Sequence, residues 1–265
     1  MSENNDKVLY EVRRNYAVIS INNPPVNACG RDVMKGIYLS LEKANNDPKV
    51  KCVVLKSEGT RLYCAGIDTT VFTQGKSQEY MLEFQKYARL NTLTMYKMKK
   101  PIINIVQGSA VGYGMMMMFA CDLHVFADRP FPEMFFKMPE MELGLYTQAG
   151  ASIGPLLNFG LKYAKNILLT SDKFGLEDLK NMNFPTRIFP WDENFEKNWV
   201  EFVEGFVKNK EAMMYLIKST LHLMNDKYIE RWFDLEDEAG DISRSKKKSM
   251  KEWDEVIQDL HNKYP

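Results

Sequence analysis

Two glycine-rich turns carry most of the chemistry that this sequence can support. Residues 101–122, PIINIVQGSAVGYGMMMMFACD, run from an apolar strand through Gly108, Gly112 and Gly114 straight into a methionine-rich helix start. The first N–H groups of a helix have no intrahelical acceptor and lie at the positive end of its dipole, so they can hold developing negative charge. Glycine lets a ligand approach the backbone closely. Met115 to Met118 stand where many enzymes place a catalytic carboxylate or hydroxyl, so any base has to come from elsewhere. A second turn, Tyr63-Cys64-Ala65-Gly66-Ile67-Asp68, follows the strand CVVL and the loop Ser57-Glu58-Gly59-Thr60. Loops beyond the carboxyl ends of strands converge on the ligand in open α/β sheets, so the two turns can each offer one backbone N–H to the same oxygen. Two donors aimed at one carbonyl make an oxyanion hole, in which one lost donor costs on the order of 3 kcal/mol.

Other chemistries lack their residues. A phosphate-binding P-loop needs Lys and Ser or Thr after its last glycine, and G-x-x-x-G-x-G is not the dinucleotide fingerprint. His124, His222 and His261 have no metal-ligand spacing, and no metal is assigned. Ser109 lies outside any G-x-S-x-G elbow, and Cys64 reads as a small buried filler. Arg244 with Lys246, Lys247 and Lys248 reads as a solvated helical face, and Met115 to Met118 read either as plain core or as flexible thioethers shaping a ligand pocket.

The elements that must position these turns follow from periodicity. KVLYEV and YAVISIN form a predicted hairpin at 7–12 and 16–22, and Val33, Ile37, Leu41 and Ala44 mark a helix over 32–46. Strands at 51–56, 102–106 and 123–127 alternate with helices, one of them over 77–98 and ended by Pro101, which predicts a layered α/β fold. From 194 to 260 the pattern is helical and rich in aromatic residues, among them Trp199, Phe206, Trp232 and Trp253. Such a segment is expected to dock on the core or on another subunit.

Composition narrows the partners. A 265-residue chain that is 45% hydrophobic can bury a sizeable core, and 35 basic residues balance 35 acidic ones. Nothing in that balance favours nucleic acid or an anionic membrane, so a small molecule or another subunit is expected. Four scattered cysteines and a polar amino terminus predict a reduced, intracellular and cytoplasmic protein, and no run reaches the roughly 18 apolar residues of a membrane helix.

The ordered motifs Asn23-Pro24-Pro25-Val26-Asn27-Ala28, Cys64 to Asp68, Gly108 to Gly114 ending in Cys121-Asp122, and Pro139-Glu140 before Leu143-Gly144 resemble the crotonase superfamily, the enoyl-CoA hydratase/isomerase family. The resemblance runs in order from about the first strand to Phe189-Pro190. It implies an α/β fold, a crotonase-like spiral of ββα units over 1–192, with a C-terminal helical oligomerisation subdomain over 193–265. The implied substrate is an acyl-CoA, with coenzyme A part of the substrate and no separate cofactor, and the implied assembly is a homotrimer or hexamer.

Carried onto this chain, the oxyanion donors are the N–H groups of Ile67 and Tyr113, with Gly112 in the turn. Ala28 and the stretch Ala65, Gly66, Ile67 and Asp68 line the CoA entrance. Tyr113 replaces a usual glycine, but its N–H is the functional group. Hydratases of this family use two glutamates, which fall on Met116 and Glu140 here, and a thioether cannot relay a proton. The two-carboxylate mechanism is therefore broken, whereas single-base Δ3,Δ2-enoyl-CoA isomerisation by Glu140 remains. The base of another isomerase branch falls on Gln148, which is uncharged; Gln148 or Thr147 can still position a polar group. Branches that act on aryl-CoA substrates use an aspartate where this chain has Tyr146-Thr147-Gln148. A hydratase and a catalytically weak acyl-CoA-binding or interaction protein remain the alternatives.

Overall fold

The computed structural model describes residues 6–72, 76–146, 148–223 and 226–245. β1 (Val8–Arg13) and β2 (Tyr16–Ile21) form the expected antiparallel hairpin, and α1 (Arg31–Asn46) leads to β3 (Cys52–Ser57), parallel to β2. The helix buries Val33, Ile37, Leu41 and Ala44, the residues whose spacing predicts it. β4 (Leu62–Cys64) is followed by α2 (Gln78–Lys97), whose first turn is capped by Ser77 accepting the Tyr80 N–H. Next come β5 (Ile102–Val106), β6 (Ser109–Val111), α3 (Tyr113–Phe119) and β7 (Leu123–Asp128). After β8 (Phe136–Lys137) come α4 (Ile153–Thr170), broken by a left-handed Gly160, then α5 (Leu176–Asn181) and β9 (Arg187–Pro190). The helices α6 (Phe195–Phe206), α7 (Glu211–Leu223) and α8 (Asp226–Ser245) complete the described chain.

The strands form two sheets. The larger has the order β1-β2-β3-β5-β7-β9 and is parallel except for the first hairpin; the smaller, β4-β6-β8, is wholly parallel. The units β3-β4-α2, β5-β6-α3 and β7-β8-α4 each give one strand to the large sheet and the next to the small one. That is the repeated ββα arrangement expected. One local expectation is corrected: strand 102–106 does not run straight into the helix, because β6 intervenes and pairs with β4 and β8. Three residues are too few to show a period of two.

Strand alternation divides the core between the two faces of the large sheet. Ala17, Ile19, Val53, Leu55, Ile102 and Phe126 face α1, α2 and α3, while Tyr16, Val18, Val54, Ile103, Ile105 and Val125 face Phe195, Trp199 and Val203 of α6. Within the described part of the segment after 193, α6 and α8 are thus docked on the core. α6 closes one face of the sheet, and α8 places Ile229 and Phe233 in the core on the other. Arg89 on α2 pairs with both Asp234 and Asp237 on α8. No helix among the described residues is long and apolar enough to cross a membrane.

Candidate active site

The three strands of the small sheet end side by side, and each end leads into a segment singled out from the sequence. β4 leads into Ala65–Asp68, β6 into Gly112 and Tyr113, and β8 into the loop with Glu140. Because β6 is the central strand, Tyr113 lies between the other two contributions. A Cβ placed on Gly66 would lie 3.5 Å from Tyr113 N and 2.8 Å from Val111 O, so the two glycine turns are in direct contact. Gly66 has φ +94 and Gly112 φ +49, a region in which side chains are strained.

Hydrogen bonding aims the two donors. Cys29 N–H donates to Gly66 O at 2.8 Å and Asp68 N–H to Cys29 O at 3.1 Å, a bridge that leaves the intervening Ile67 amide pointing away from Cys29. Tyr113 is the first residue of α3, and its N–H has no intrahelical acceptor. Neither N–H has a protein acceptor among the described residues. The Tyr113 ring is buried, and its hydroxyl donates to Ala88 O at 2.8 Å, so the side chain leaves the turn open.

Glu140 meets this turn from the third strand. A Cβ on Gly112 would stand 3.2 Å from Glu140 Oε1, and the residue is 8% exposed. Its Oε2 is buried without a hydrogen-bond partner. Burial pushes the carboxyl pKa up to about 7, against a smaller opposing pull from its own backbone N–H. A carboxylate poised near neutrality, with one free oxygen beside two unengaged N–H donors, can take and return a proton next to a polarised carbonyl.

A family model described as enoyl-CoA hydratase/isomerase matches residues 11–258. The chain belongs to this enoyl-CoA hydratase/isomerase family. Mouse mitochondrial enoyl-CoA delta isomerase 1 is 29% identical over 128 residues, 48% of this chain and 44% of the relative. The peroxisomal fatty acid beta-oxidation multifunctional protein of Arabidopsis thaliana is 30% identical over 163 residues, 61% of this chain and 22% of that protein. The chain therefore spans less than half the length of either curated relative. Human mitochondrial delta3-delta2-enoyl-CoA isomerase superposes with TM-score 0.84 at 20% identity, covering 98% of this chain and all of the other. Bacillus halodurans enoyl-CoA hydratase gives 0.82 at 16% identity, covering 95% and 99%. These structural matches show the crotonase fold, as expected.

Within this family member, the remaining expected residues are placed as follows. Ala28 is half-buried, and its carbonyl accepts the Asn23 side-chain amide at 2.8 Å. Ala65 N–H donates to Val26 O at 3.1 Å, which ties the second turn to the Asn-Pro-Pro segment, and Asp68 Oδ1 accepts the Thr70 N–H at 3.0 Å. Met115, Met117 and Met118 are wholly buried, whereas Met116 alone of the four keeps any exposed surface, 5%. Gln148 departs toward the helical tail: its side-chain amide donates to Asp237 Oδ1 on α8 at 2.8 Å. His124 is buried and stacked on Phe184, and Cys64 is buried beside Cys29. Thr147, Lys246 to Lys248, Trp253 and His261 lie outside the described residues, as do the side chains of His222 and Arg244.

Sequence reasoning overlooked Asn27 as an organiser of the site. Its buried side-chain amide donates to Glu58 O at 2.8 Å and Leu62 O at 3.1 Å while its Oδ1 accepts the Asn23 N–H, so it binds the Ala28 segment to both ends of the loop before β4. The available signal was its place in the Asn-Pro-Pro-Val-Asn-Ala motif, and its φ of +53 is one that asparagine tolerates better than most residues.

Proposed function

We propose that this protein is a Δ3,Δ2-enoyl-CoA isomerase that works with a single base. The observation that carries the reading is the pairing of Glu140, buried with an unpartnered Oε2, with a thioether at Met116, where the family's hydratases hold their second glutamate. The 3-enoyl thioester oxygen accepts hydrogen bonds from Ile67 and Tyr113 N–H. Glu140 takes a proton from the α-carbon, and the electrons of that C–H bond pass into a dienolate whose negative oxygen lies between the two donors. The protonated Glu140 then gives its proton to the γ-carbon, the double bond settles between the α- and β-carbons, and the carboxylate is regenerated.

No electron acceptor is consumed, and coenzyme A belongs to the substrate. Ala28, Ala65, Gly66 and Asp68 line the CoA entrance, and Met116 lines the acyl side. Gln148 orders the pocket wall through α8. The proposed setting is intracellular and the proposed assembly a homotrimer or hexamer.

The test is incubation with a 3-enoyl-CoA while following conjugated-thioester absorbance. Glu140→Gln is expected to lower kcat by about 10²–10⁴-fold while acyl-CoA binding persists. Tight CoA-ester binding without turnover by the wild-type protein would replace this reading with a binding function.

A further inference from the structure

We infer that Lys137 is a positioning residue that fastens the oxyanion turn and the Glu140 loop to each other, an inference that rests on the proton transfer proposed above. Lys137 is the last residue of β8, opposite Val111 in the β6–β8 register, and its carbonyl accepts the Gly112 N–H at 2.9 Å. The same residue reaches forward with its side chain. Its ammonium pairs with the carboxylate of Glu142, two positions beyond Glu140. Lys137 thereby holds the donor turn through its backbone and the base loop through its side chain.

The loop between these attachment points is tight. Leu143 N–H donates to Pro139 O at 3.0 Å and Leu145 N–H to Glu140 O at 2.8 Å. Glu142 is held a second time, its N–H donating to Ser171 Oγ at 3.3 Å. The Glu140 carboxylate has far less to fix it, since Oε2 is unpartnered, so its position follows from that of the loop. A solvated ion pair would fix little. This one is sheltered: the Lys137 side chain is 7% exposed and that of Glu142 30%, and a buried ammonium without its counter-charge must move or be paid for in stability.

Misplacing a reacting group by about 1 Å costs on the order of 10²-fold in rate. We expect Lys137→Met and Glu142→Gln each to lower kcat for 3-enoyl-CoA isomerisation by about that factor, with KM within about twofold of wild type. The double variant should lose no more than either single one, because both remove the same fastening. Lys137→Arg should recover most of the rate. Wild-type kcat in Lys137→Met, a loss seen only in KM, or single losses that multiply in the double variant would overturn the inference. If Lys137→Met does not fold, Glu142→Gln removes the same pair from its more exposed end and decides the matter alone. Failure of the isomerase reading would show separately, as a wild-type protein that does not turn over 3-enoyl-CoA; the positioning role would fall with it.

Discussion

Glu140 has to be ionised to act as a base, yet its surroundings favour the neutral acid. With its pKa raised by burial from 4.5 to about 7, kcat/KM is expected to rise with pH and level off above about 7, and Glu140→Gln should lack that limb. The stability consequence has the opposite slope. Below pH 4.5 the group is protonated in both folded and unfolded chains and contributes nothing. Between about 4.5 and 7 only the unfolded chain ionises, so folding stability declines by a total of about 3 kcal/mol, and above 7 the loss is complete. Thermal melts should therefore show Glu140→Gln as the more stable protein at pH 8, with the advantage fading below pH 5; equal melting curves at pH 8 would contradict the burial argument. Met116 allows a complementary gain. Met116→Glu is expected to introduce hydration of 2-enoyl-CoA, read as loss of conjugated absorbance, and no gain would argue against the positional reading of α3.

Secondary-structure elements set these residues only because two of them approach unusually closely. A Cβ on Gly114 would lie 2.6 Å from Cys64 O and 2.8 Å from Cys64 Cβ, so α3 rests directly on the end of β4. Gly114→Ala should push those elements apart, destabilise the fold by about 1–3 kcal/mol and lower kcat by separating the two N–H donors. Differential scanning calorimetry and the isomerase assay check both parts, and a variant with unchanged melting temperature would show that the contact relaxes freely. This contact also marks the limit of what the sequence conveys. The first hairpin, α1, α2 and β5 were legible because each repeats its apolar pattern over several residues. β4, β6 and β8 contain three, three and two residues, so pairing with distant partners rather than their own pattern defines them. The glycine turns and Glu140 were legible from ordered motifs. Asn27 and Gln148 were legible as motif positions but not in what they hold, and the Lys137–Glu142 pair was not legible at all, because these parts depend on which group each side chain meets in space.

Across the protein, α8 ties down the chain between Gln148 and the start of α4. Glu236 of α8 is buried, and its carboxylate accepts the N–H groups of Gly150 at 2.7 Å and Ser152 at 3.0 Å, 86 and 84 residues away, where α4 begins. Outward, α7 presents Met213, Leu216 and Ile217 at helical spacing, with Leu216 58% and Ile217 62% exposed. That apolar stripe supports the proposed homo-oligomer. Leu216→Glu combined with Ile217→Glu is expected to shift the sedimenting species toward monomer, whereas an unchanged mass would remove α7 from the proposed interface. The small parallel sheet has a different consequence. Because its three strands end together and the first residues beyond them brace one another through Gly66, Gly112 and the Lys137–Glu142 pair, those residues have to be kept as a unit, and only chain beyond them can be lengthened or exchanged without disturbing the candidate site. For the proposed isomerase, new acyl specificities are therefore best sought by grafting beyond β8, after Leu145, where Glu140 stays fixed and only the wall changes.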